Sequence, residues 1–286
     1  MRTDNQRESE NVEDRRGMSK GAVVGGGLGA LILALIIGLM GGDPSKLLEM
    51  GAGGGGGAAS SEQIPDTPEA REAKRFVSVV LADTEDVWRK ILPEQGGARY
   101  EDPVLVLFTG QVESACGSAS ASTGPFYCPG DRKLYLDFSF FDELRTRFKA
   151  PGDFAQAYVI AHEVGHHVQK LLGASDMVNK ARARLNERDF NQLSVRLELQ
   201  ADFYAGVWAH HAQQMRKILE EGDIEEALRA ANAIGDDRLQ KEARGRVMPD
   251  SFTHGTSEQR IRWFTKGFKT GDLRQGDTFS VPYERL

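Results

Sequence analysis

The sequence predicts a mixed α+β protein that is mostly helical, contains a small β-sheet and is preceded by one transmembrane helix. Residues 21–42 carry no charged side chain, which is typical of a membrane span. Residues 104–108 and 133–137 are short apolar or alternating runs that are typical of strands. After residue 140, apolar residues recur mostly at helical spacing. The roughly 220 residues after residue 68 are enough for one domain with its own core.

A polar, charged tail over residues 1–20 precedes the apolar run. A stretch of about 20 apolar residues can cross a bilayer core of about 30 Å. A buried helix of a soluble domain is an alternative, but its many glycines would weaken such a helix. A cleaved signal peptide is another, but the tail is long and no small-x-small site follows cleanly. We therefore expect an uncleaved single-pass anchor over 21–42, contacting the lipid bilayer.

The glycines of this run also repeat at a spacing that brings helices close together. Gly21, Gly25 and Gly29 share one helix face. Small residues on one face allow two membrane helices to pack closely. Helix–helix self-association through this face is therefore expected.

The charges beside the span predict its orientation. Arg15, Arg16 and Lys20 crowd the N-terminal flank, whereas the other flank has a lone Lys46. The positive-inside rule then keeps the tail in the cytoplasm and places everything after the span outside it. Residues 43–68 include a long glycine run and are predicted to be a flexible linker to a domain over 69–286.

Both cysteines, Cys116 and Cys128, lie in the part that this orientation exports. An oxidising compartment would let them form one disulfide, with a loop or bent hairpin between them. In the cytosol they would be free thiols, because two cysteines alone make no complete metal site.

The domain is expected to begin with a helix over about 67–92, whose apolar side includes Phe76, Val80 and Trp88. The run 104–108 then predicts a buried strand, and 133–137 predicts a hairpin partner or an edge strand. Further helices are predicted over about 141–148, 176–187, 193–219 and 224–244, together with one around residues 154–166.

That last helix carries His162-Glu163-Val164-Gly165-His166, which has the form H-E-x-x-H. Positions i and i+4 lie on the same helix face, so both imidazoles can bind one zinc ion. Glu163 lies about 100° round the helix from His162, where its carboxylate can reach a water on the metal. The alternative is a helix with two incidental histidines. The adjacent His167 points away and is expected to pack or to support the site.

A third ligand is offered by Leu197-Glu198-Leu199-Gln200-Ala201-Asp202. Catalytic zinc usually keeps three protein ligands, and Glu198 can supply the anionic one. Asp202, one turn later, can accept a hydrogen bond from the second ring nitrogen of a ligating histidine. A solvated pair of carboxylates is the alternative, although apolar neighbours surround both residues.

H-E-x-x-H followed by E-x-x-A-D resembles the gluzincin class of metallopeptidases. The resemblance implies His162, His166 and Glu198 as ligands of one zinc ion (Zn²⁺) per chain, and Glu163 as general base. It also implies that Asp202 orients a ligating histidine. A zincin-like domain places its sheet beside the cleft, so Leu134–Asp137 is expected as the edge where a peptide adds as a strand.

A further tract, from His254 to Arg260, lies near the C-terminus. Thr256 and Gln259 form a predicted capping box, so His254 lies on the loop before a helix. The tract resembles the H-P-x4-R segment of membrane-associated gluzincins, with Gly255 in place of proline. The resemblance implies that His254 donates to an oxyanion and that Arg260 supports it. An ordinary loop histidine is the alternative.

Over nearly its whole length the chain resembles the bacterial neutral zinc metallopeptidases (YpfJ-like). The matching segments are Asn11–Gly17 before the glycine-rich span, Gly124–Pro129, Tyr135–Asp137, Phe140-Phe141 and the zinc motifs. This resemblance implies a protein of the bacterial inner (cell) membrane with its catalytic domain in the periplasm.

The expected function is a membrane-anchored zinc metalloendopeptidase that hydrolyses peptide bonds with a zinc-activated water and Glu163 as base. The rival is a non-catalytic, metal-stabilised binding or assembly module tethered to the membrane. A purely structural zinc site needs no glutamate between its ligands, which favours the enzyme. A nucleic-acid partner is not expected, because the net charge is −6 and basic residues cluster only beside the span.

Overall fold

The structure is a computed structural model that describes residues 1–17 and 67–286. The predicted membrane span over 21–42, its glycine face and most of the predicted linker lie outside these residues. Within the described ranges, no helix combines the length and the apolar character needed to cross a membrane. The described part is mostly helical with two small sheets, as the sequence predicts.

The larger sheet has four strands in the order β1-β2-β6-β5. They are β1 (Val12–Asp14), β2 (Val104–Phe108), β5 (Phe126–Cys128) and β6 (Lys133–Asp137). The strands β1 and β6 both run parallel to β2, while β5 is antiparallel to β6. The apolar run of β2 is buried on both faces, which is why it reads as continuous rather than alternating.

The position of β6 corrects the expected sheet edge. Leu134–Asp137 belongs to β6, which lies between β2 and β5 and is paired on both sides. It is therefore neither an edge strand nor the partner of β2 in a hairpin. Its side of the sheet ends instead at β5, a three-residue strand that the sequence does not predict.

The N-terminal residues also belong to this domain. Residues 1–14 form one compact unit with the described residues from 67 onward. Arg7, Ser9 and Asn11 donate hydrogen bonds to Glu85, whose carboxylate is fully buried. A buried carboxylate needs such partners, so the segment stabilises the helix that carries it. The sequence predicts residues 1–20 as a separate tail, whereas in the structure residues 12–14 pair with β2.

A β-hairpin follows β2 in the chain, and a disulfide links this hairpin to β5. Strands β3 (Gln111–Ser114) and β4 (Gly117–Ser120) pair antiparallel as a two-stranded sheet. Cys116, in the turn of this hairpin, is bonded to Cys128 at the end of β5. The predicted disulfide is confirmed, and it ties the edge strand to the hairpin.

The helices pack into a bundle beside the sheet. In chain order they are α1 (Pro68–Ile91), α2 (Ser139–Thr146), α3 (Asp153–Leu171), α4 (Ala174–Arg182), α5 (Glu187–Arg216), α6 (Asp223–Ala233), α7 (Asp236–Arg244) and α8 (Ser257–Thr270). The capping box predicted from Thr256 and Gln259 opens α8. Because α5 begins earlier than predicted, Asn186 caps it and not a later residue.

Two glycines let α5 and α8 touch through their backbones. A Cβ at Gly206 would collide with the carbonyl of Phe264, and one at Gly267 would collide with that of Phe203. A larger residue in place of either glycine would therefore push the two helices apart where they cross. This crossing holds the side chains of α8 against α5 in the core.

The helix predicted over 224–244 is broken into α6 and α7. Gly235 separates them, and a Cβ there would meet the backbone nitrogen of Ser257 at 2.5 Å. The backbone N–H of Asp236 donates to the carbonyl of Gly255. The break therefore places the start of α7 against the loop that precedes α8.

Candidate metal centre and cleft

The H-E-x-x-H segment lies in the second half of α3, which packs against α5. A Cβ at Gly165 would lie 2.9 Å from the carbonyl oxygen of Ala201, so the two helices approach closely at this point. Gly165 directly precedes His166, and Ala201 directly precedes Asp202. The close approach therefore brings the histidines of α3 to the carboxylates of α5.

Three side chains converge there. The Nε2 atom of His162 is 3.2 Å from one carboxylate oxygen of Glu198, and that of His166 is 3.4 Å from the other. One ligand atom from each of the three residues lies within 4.8 Å of the other two. The sequence predicts these residues as a ligand set, and the fold brings them together.

The arrangement fits zinc. In a tetrahedral site with bonds of about 2.0–2.1 Å, neighbouring donor atoms lie about 3.3 Å apart. Two imidazoles and one carboxylate are also a donor set typical of catalytic zinc. His162, His166 and Glu198 could therefore hold the ion without rearrangement of the backbone.

Behind His162 the site is charged. The Nδ1–H of His162 donates to Asp202 at 2.8 Å, and the hydroxyl of Tyr158 donates to the same oxygen at 2.5 Å. Arg260 donates to both oxygens of Asp202, at 2.8 and 3.0 Å. All these groups are buried. We call His162, Asp202, Arg260 and Tyr158 the charged side of the site.

These charges fix the ionisation of the pair. Burial raises the pKa of Asp202, but Arg260 and His162 outweigh it and lower the pKa to about 2. Burial lowers the pKa of His162, but Asp202 and Glu198 outweigh it and raise the pKa to about 10. The carboxylate thus stays ionised and makes the imidazole a more basic ligand.

Behind His166 the site is neutral. The Nδ1–H of His166 donates to the side-chain oxygen of Gln169 at 2.9 Å. The amide nitrogen of Gln169 donates to the carbonyl of Leu197 at 2.6 Å and to Gln200 at 3.2 Å. We call His166, Gln169 and Gln200 the neutral side of the site. Both histidines have their Nδ1 atoms engaged, which leaves both Nε2 atoms for a metal.

Glu163 lies in the same cleft as the three ligands. Burial raises the pKa of its carboxyl group, which both histidines partly offset. The backbone of Tyr127 in β5 also lowers this pKa. A carboxylate with a raised pKa is suited to accept and return a proton.

His254 lies at the rim of the cleft, half-exposed, on the loop before α8. Its Nδ1 is 3.2 Å from Asp236, whose other oxygen accepts the backbone N–H groups of Thr253, His254 and Gly255. Burial lowers the pKa of His254, but Asp236 and Glu198 raise it above its ordinary value. The protonated form of His254 is thus favoured near the ligand set.

Arg260, which the sequence predicts as a residue supporting the site, directs its guanidinium at Asp202 and Tyr158 rather than at His254. The role beside His254 belongs to Asp236, which the sequence analysis missed. Gln169 and Tyr158 were also missed, although each is three or four residues from a ligand on α3 and shares its face.

The cleft has a volume of about 890 Å³. Its floor holds the ligands and Glu163, and β5 lines one wall. Aromatic side chains from β5, from α2 and from the segment just after α2 continue that wall, namely Phe126, Tyr127, Phe140 and Phe148. A cleft with an apolar wall and a few polar groups at its base can hold an extended chain.

Comparison with known proteins finds one matching family model and several relatives of similar sequence. The family model described as "Putative neutral zinc metallopeptidase" matches residues 1–279. The chain is 49% identical over 289 residues to the "Uncharacterized protein YpfJ" of Escherichia coli (strain K12), covering 98% of this chain and 99% of that protein. It is 44% identical over 224 residues to the "Uncharacterized protein Mb2605" of Mycobacterium bovis, covering 73% of each. No solved structure matches it at a significant level.

Proposed function

Since the chain belongs to the neutral zinc metallopeptidase family, we propose that it hydrolyses peptide bonds at the centre formed by His162, His166 and Glu198. The observation that carries the proposal is the position of Glu163 in one cleft with three zinc-type ligands. The endopeptidase activity, the gluzincin mechanism and the zincin-like fold are parts of this proposal.

Zinc held by these three side chains would polarise a carbonyl group and lower the pKa of water. Glu163 accepts the proton of the attacking water and delivers it to the leaving amine. Its raised pKa supports the second step, because the protonated carboxyl must persist long enough to donate. Asp202 and Gln169 keep the two histidines in the tautomer that presents Nε2.

His254 serves as the oxyanion donor in this mechanism. Its raised pKa keeps the imidazole protonated up to a higher pH than is usual for histidine. The protonated ring can donate a hydrogen bond to the carbonyl oxygen as negative charge develops there. Asp236 positions the loop through three backbone amides. Arg260 acts through Asp202 and His162 in this proposal.

The substrate is a peptide or an unfolded segment of a protein. The aromatic wall made by Phe126, Phe140 and Phe148 favours bulky apolar side chains near the scissile bond. Among the described residues β5 has no strand on its outer side, and that edge would offer backbone groups to an extended chain.

The rival function is a metal-stabilised binding module that cleaves nothing. Zinc content cannot separate the two, because both bind zinc. The separating feature is Glu163, which is not part of the ligand set and has no role in a purely structural site.

Glu163→Gln tests the proposal. The purified, zinc-loaded variant should keep its zinc, while cleavage of a peptide library, read by mass spectrometry, should fall by about a thousandfold or more. The matched control is Glu258→Gln, an exposed residue of α8 that pairs with Arg262. It should cleave as the native protein does. Equal cleavage by native protein and Glu163→Gln would overturn the mechanism.

A further inference from the structure

One continuous stretch of chain forms the wall of the cleft on the side of β5. Every residue from 121 to 127 lines the cleft, and we call this stretch the wall segment. It begins with a short 3₁₀ turn (Ala121–Thr123) and ends in β5. Its middle lies against α2, because a Cβ at Gly124 would be 3.6 Å from the ring of Phe140. A peptide in the cleft would therefore contact the wall segment.

Noncovalent contacts attach the wall segment at its two ends. At its last end, β5 forms three residue pairs with β6, and Phe126 stacks on Tyr135 at 4.8 Å. At its first end, the backbone N–H of Ala121 donates to the carbonyl of Gly110 at 2.7 Å. This end follows directly on β4, whose residues are exposed or only partly buried and which pairs with β3. The position of the first end therefore depends on where the β3–β4 hairpin lies.

The disulfide links that hairpin to β5. Cys116 is exposed in the hairpin turn, whereas Cys128 is fully buried in a second, smaller apolar cluster. The bond between them closes a loop that contains the whole wall segment. The backbone N–H of Ala115 also donates to Asp131 at 3.0 Å, at an exposed position. Water competes for an exposed hydrogen bond but not for a covalent bond, so the disulfide is the more durable of these two links.

We propose that the Cys116–Cys128 disulfide positions the wall segment for substrate binding, so that its loss weakens the binding of an extended peptide. The proposal rests on the proposed function for the identity of the ligand. Neither cysteine is among the residues that line the cleft, so the disulfide acts through the wall segment and not by contact with the peptide. A loop that a crosslink already orders loses less entropy when it binds a ligand.

Cys116→Ser in the full-length, zinc-loaded protein tests the proposal. The change lies at an exposed position, leaves Cys128 in place and opens the loop. On a fluorogenic peptide taken from the cleavage library, KM should rise about fivefold to twentyfold. The zinc ligands and Glu163 lie on α3 and α5, outside the closed loop, so kcat and zinc content should stay close to those of the native protein. The melting temperature should fall, because a disulfide also stabilises the fold.

Val77→Ala is the control for that loss of stability. Val77 is fully buried in α1 and is not among the residues that line the cleft. Its truncation leaves a core cavity and should lower the melting temperature, while KM stays native. A disulfide that only stabilises the fold would give a native KM per folded molecule in Cys116→Ser as well, and that result overturns the proposal.

Reduction of the native protein should reproduce the change without a mutation. A water-soluble phosphine supplies two electrons to the S–S bond and becomes the phosphine oxide, taking its oxygen from water. The two protons of that water complete the two thiols. The reduced native protein should have the KM of Cys116→Ser, and the same treatment should leave Cys116→Ser unchanged. A native KM after complete reduction overturns the proposal.

Peptide affinity in the Glu163→Gln background gives a readout that needs no hydrolysis. Fluorescence anisotropy measures the dissociation constant of a peptide that the zinc-loaded Glu163→Gln protein retains from the same library. Addition of Cys116→Ser should raise that constant about fivefold to twentyfold. A binding module that cleaves nothing would show the same rise, so this result does not depend on catalysis. Equal constants overturn the proposal, and Glu163-dependent cleavage by the native protein then leaves the proposed function standing.

Hydrogen exchange over residues 117–127 measures the positioning itself. Exchange in the ligand-free protein should be about fivefold faster in Cys116→Ser than in the native protein, because the opened loop fluctuates more. It should be unchanged in Val77→Ala. Equal exchange in native protein and Cys116→Ser overturns the proposal whether or not any peptide binds.

Discussion

The charged side and the neutral side of the site surround two histidines of one helix with different chemistry. His162 donates to Asp202, a carboxylate that Arg260 neutralises through two hydrogen bonds. His166 donates to Gln169, an uncharged amide one turn further along the same helix. Both arrangements fix a ring tautomer, and both leave Nε2 directed at Glu198.

The difference lies in what each side depends on. The charged side joins α3, α5 and α8, so it forms only when three helices distant in sequence have packed. The neutral side joins α3 to α5 and, through Gln200, to the carbonyl of Gly276 in the segment after α8. Removal of only one charge from a buried ion pair is strongly destabilising, because the other charge stays buried without a partner. The two sides should therefore respond to mutation with very different losses.

Asp202→Asn should have the largest effect. Zinc affinity should fall about 10- to 100-fold, because the imidazole loses its anionic partner. The free energy of unfolding should fall by about 3–5 kcal/mol, because Arg260 stays buried with no carboxylate. Competition with a chelator measures the first quantity, and urea denaturation of the metal-free protein measures the second.

The double variant Asp202→Asn with Arg260→Gln separates these two losses. It removes both charges, so most of the stability should return while zinc affinity stays low. If Asp202→Asn alone is as stable as the native protein, the charged side does not behave as a buried ion pair.

Gln169→Leu should be milder. Zinc affinity should fall about tenfold, since His166 loses the acceptor for its Nδ1–H. The unfolding free energy should fall by about 1–3 kcal/mol, because the carbonyl of Leu197 loses its donor. Gln214→Leu, a change at an exposed site of α5 that contacts His210, is the control and should leave zinc affinity unchanged. A loss equal to that of Asp202→Asn would show that charge is not what distinguishes the two sides.

Asp236→Asn extends the comparison to a third histidine and should have the smallest effect. Asp236 raises the pKa of His254, so the protonated donor survives to higher pH than an ordinary histidine would. Loss of the carboxylate lowers that pKa, and the alkaline limb of kcat/KM should move to lower pH. Asp250→Asn, which removes an exposed charge paired with Arg188, should not move the limb. An unshifted limb in Asp236→Asn would remove His254 from the mechanism.

The parts of the site that the sequence predicts are those set by helix periodicity. His162 and His166 share a face because they are four residues apart, and Glu198 and Asp202 do so for the same reason. Asp236 and Tyr127 reach the site from other elements, and no spacing rule relates them to the motif. Their places depend on a helix break at Gly235 and on a three-residue strand. Both features involve too few residues to produce a periodic pattern in the sequence.

The sheet shows the same limit. The apolar run of β2 and the alternation in β6 identify both strands, but side-chain pattern does not set which strands become neighbours. The parallel pairing of β2 with β6 follows from the crossover between them, and it moves the edge to β5. The sequence of Val12–Asp14 shows no strand pattern. A half-buried strand alternates apolar and polar residues, whereas here only two of three residues are partly buried.

That first strand constrains how the chain is made. At usual rates of synthesis, β1 leaves the ribosome on the order of 10 s before β2 exists to receive it. The strand must therefore wait unpaired until residue 108 at the end of β2 has been made, so the sheet closes on its first strand only after all of β2 has been synthesised.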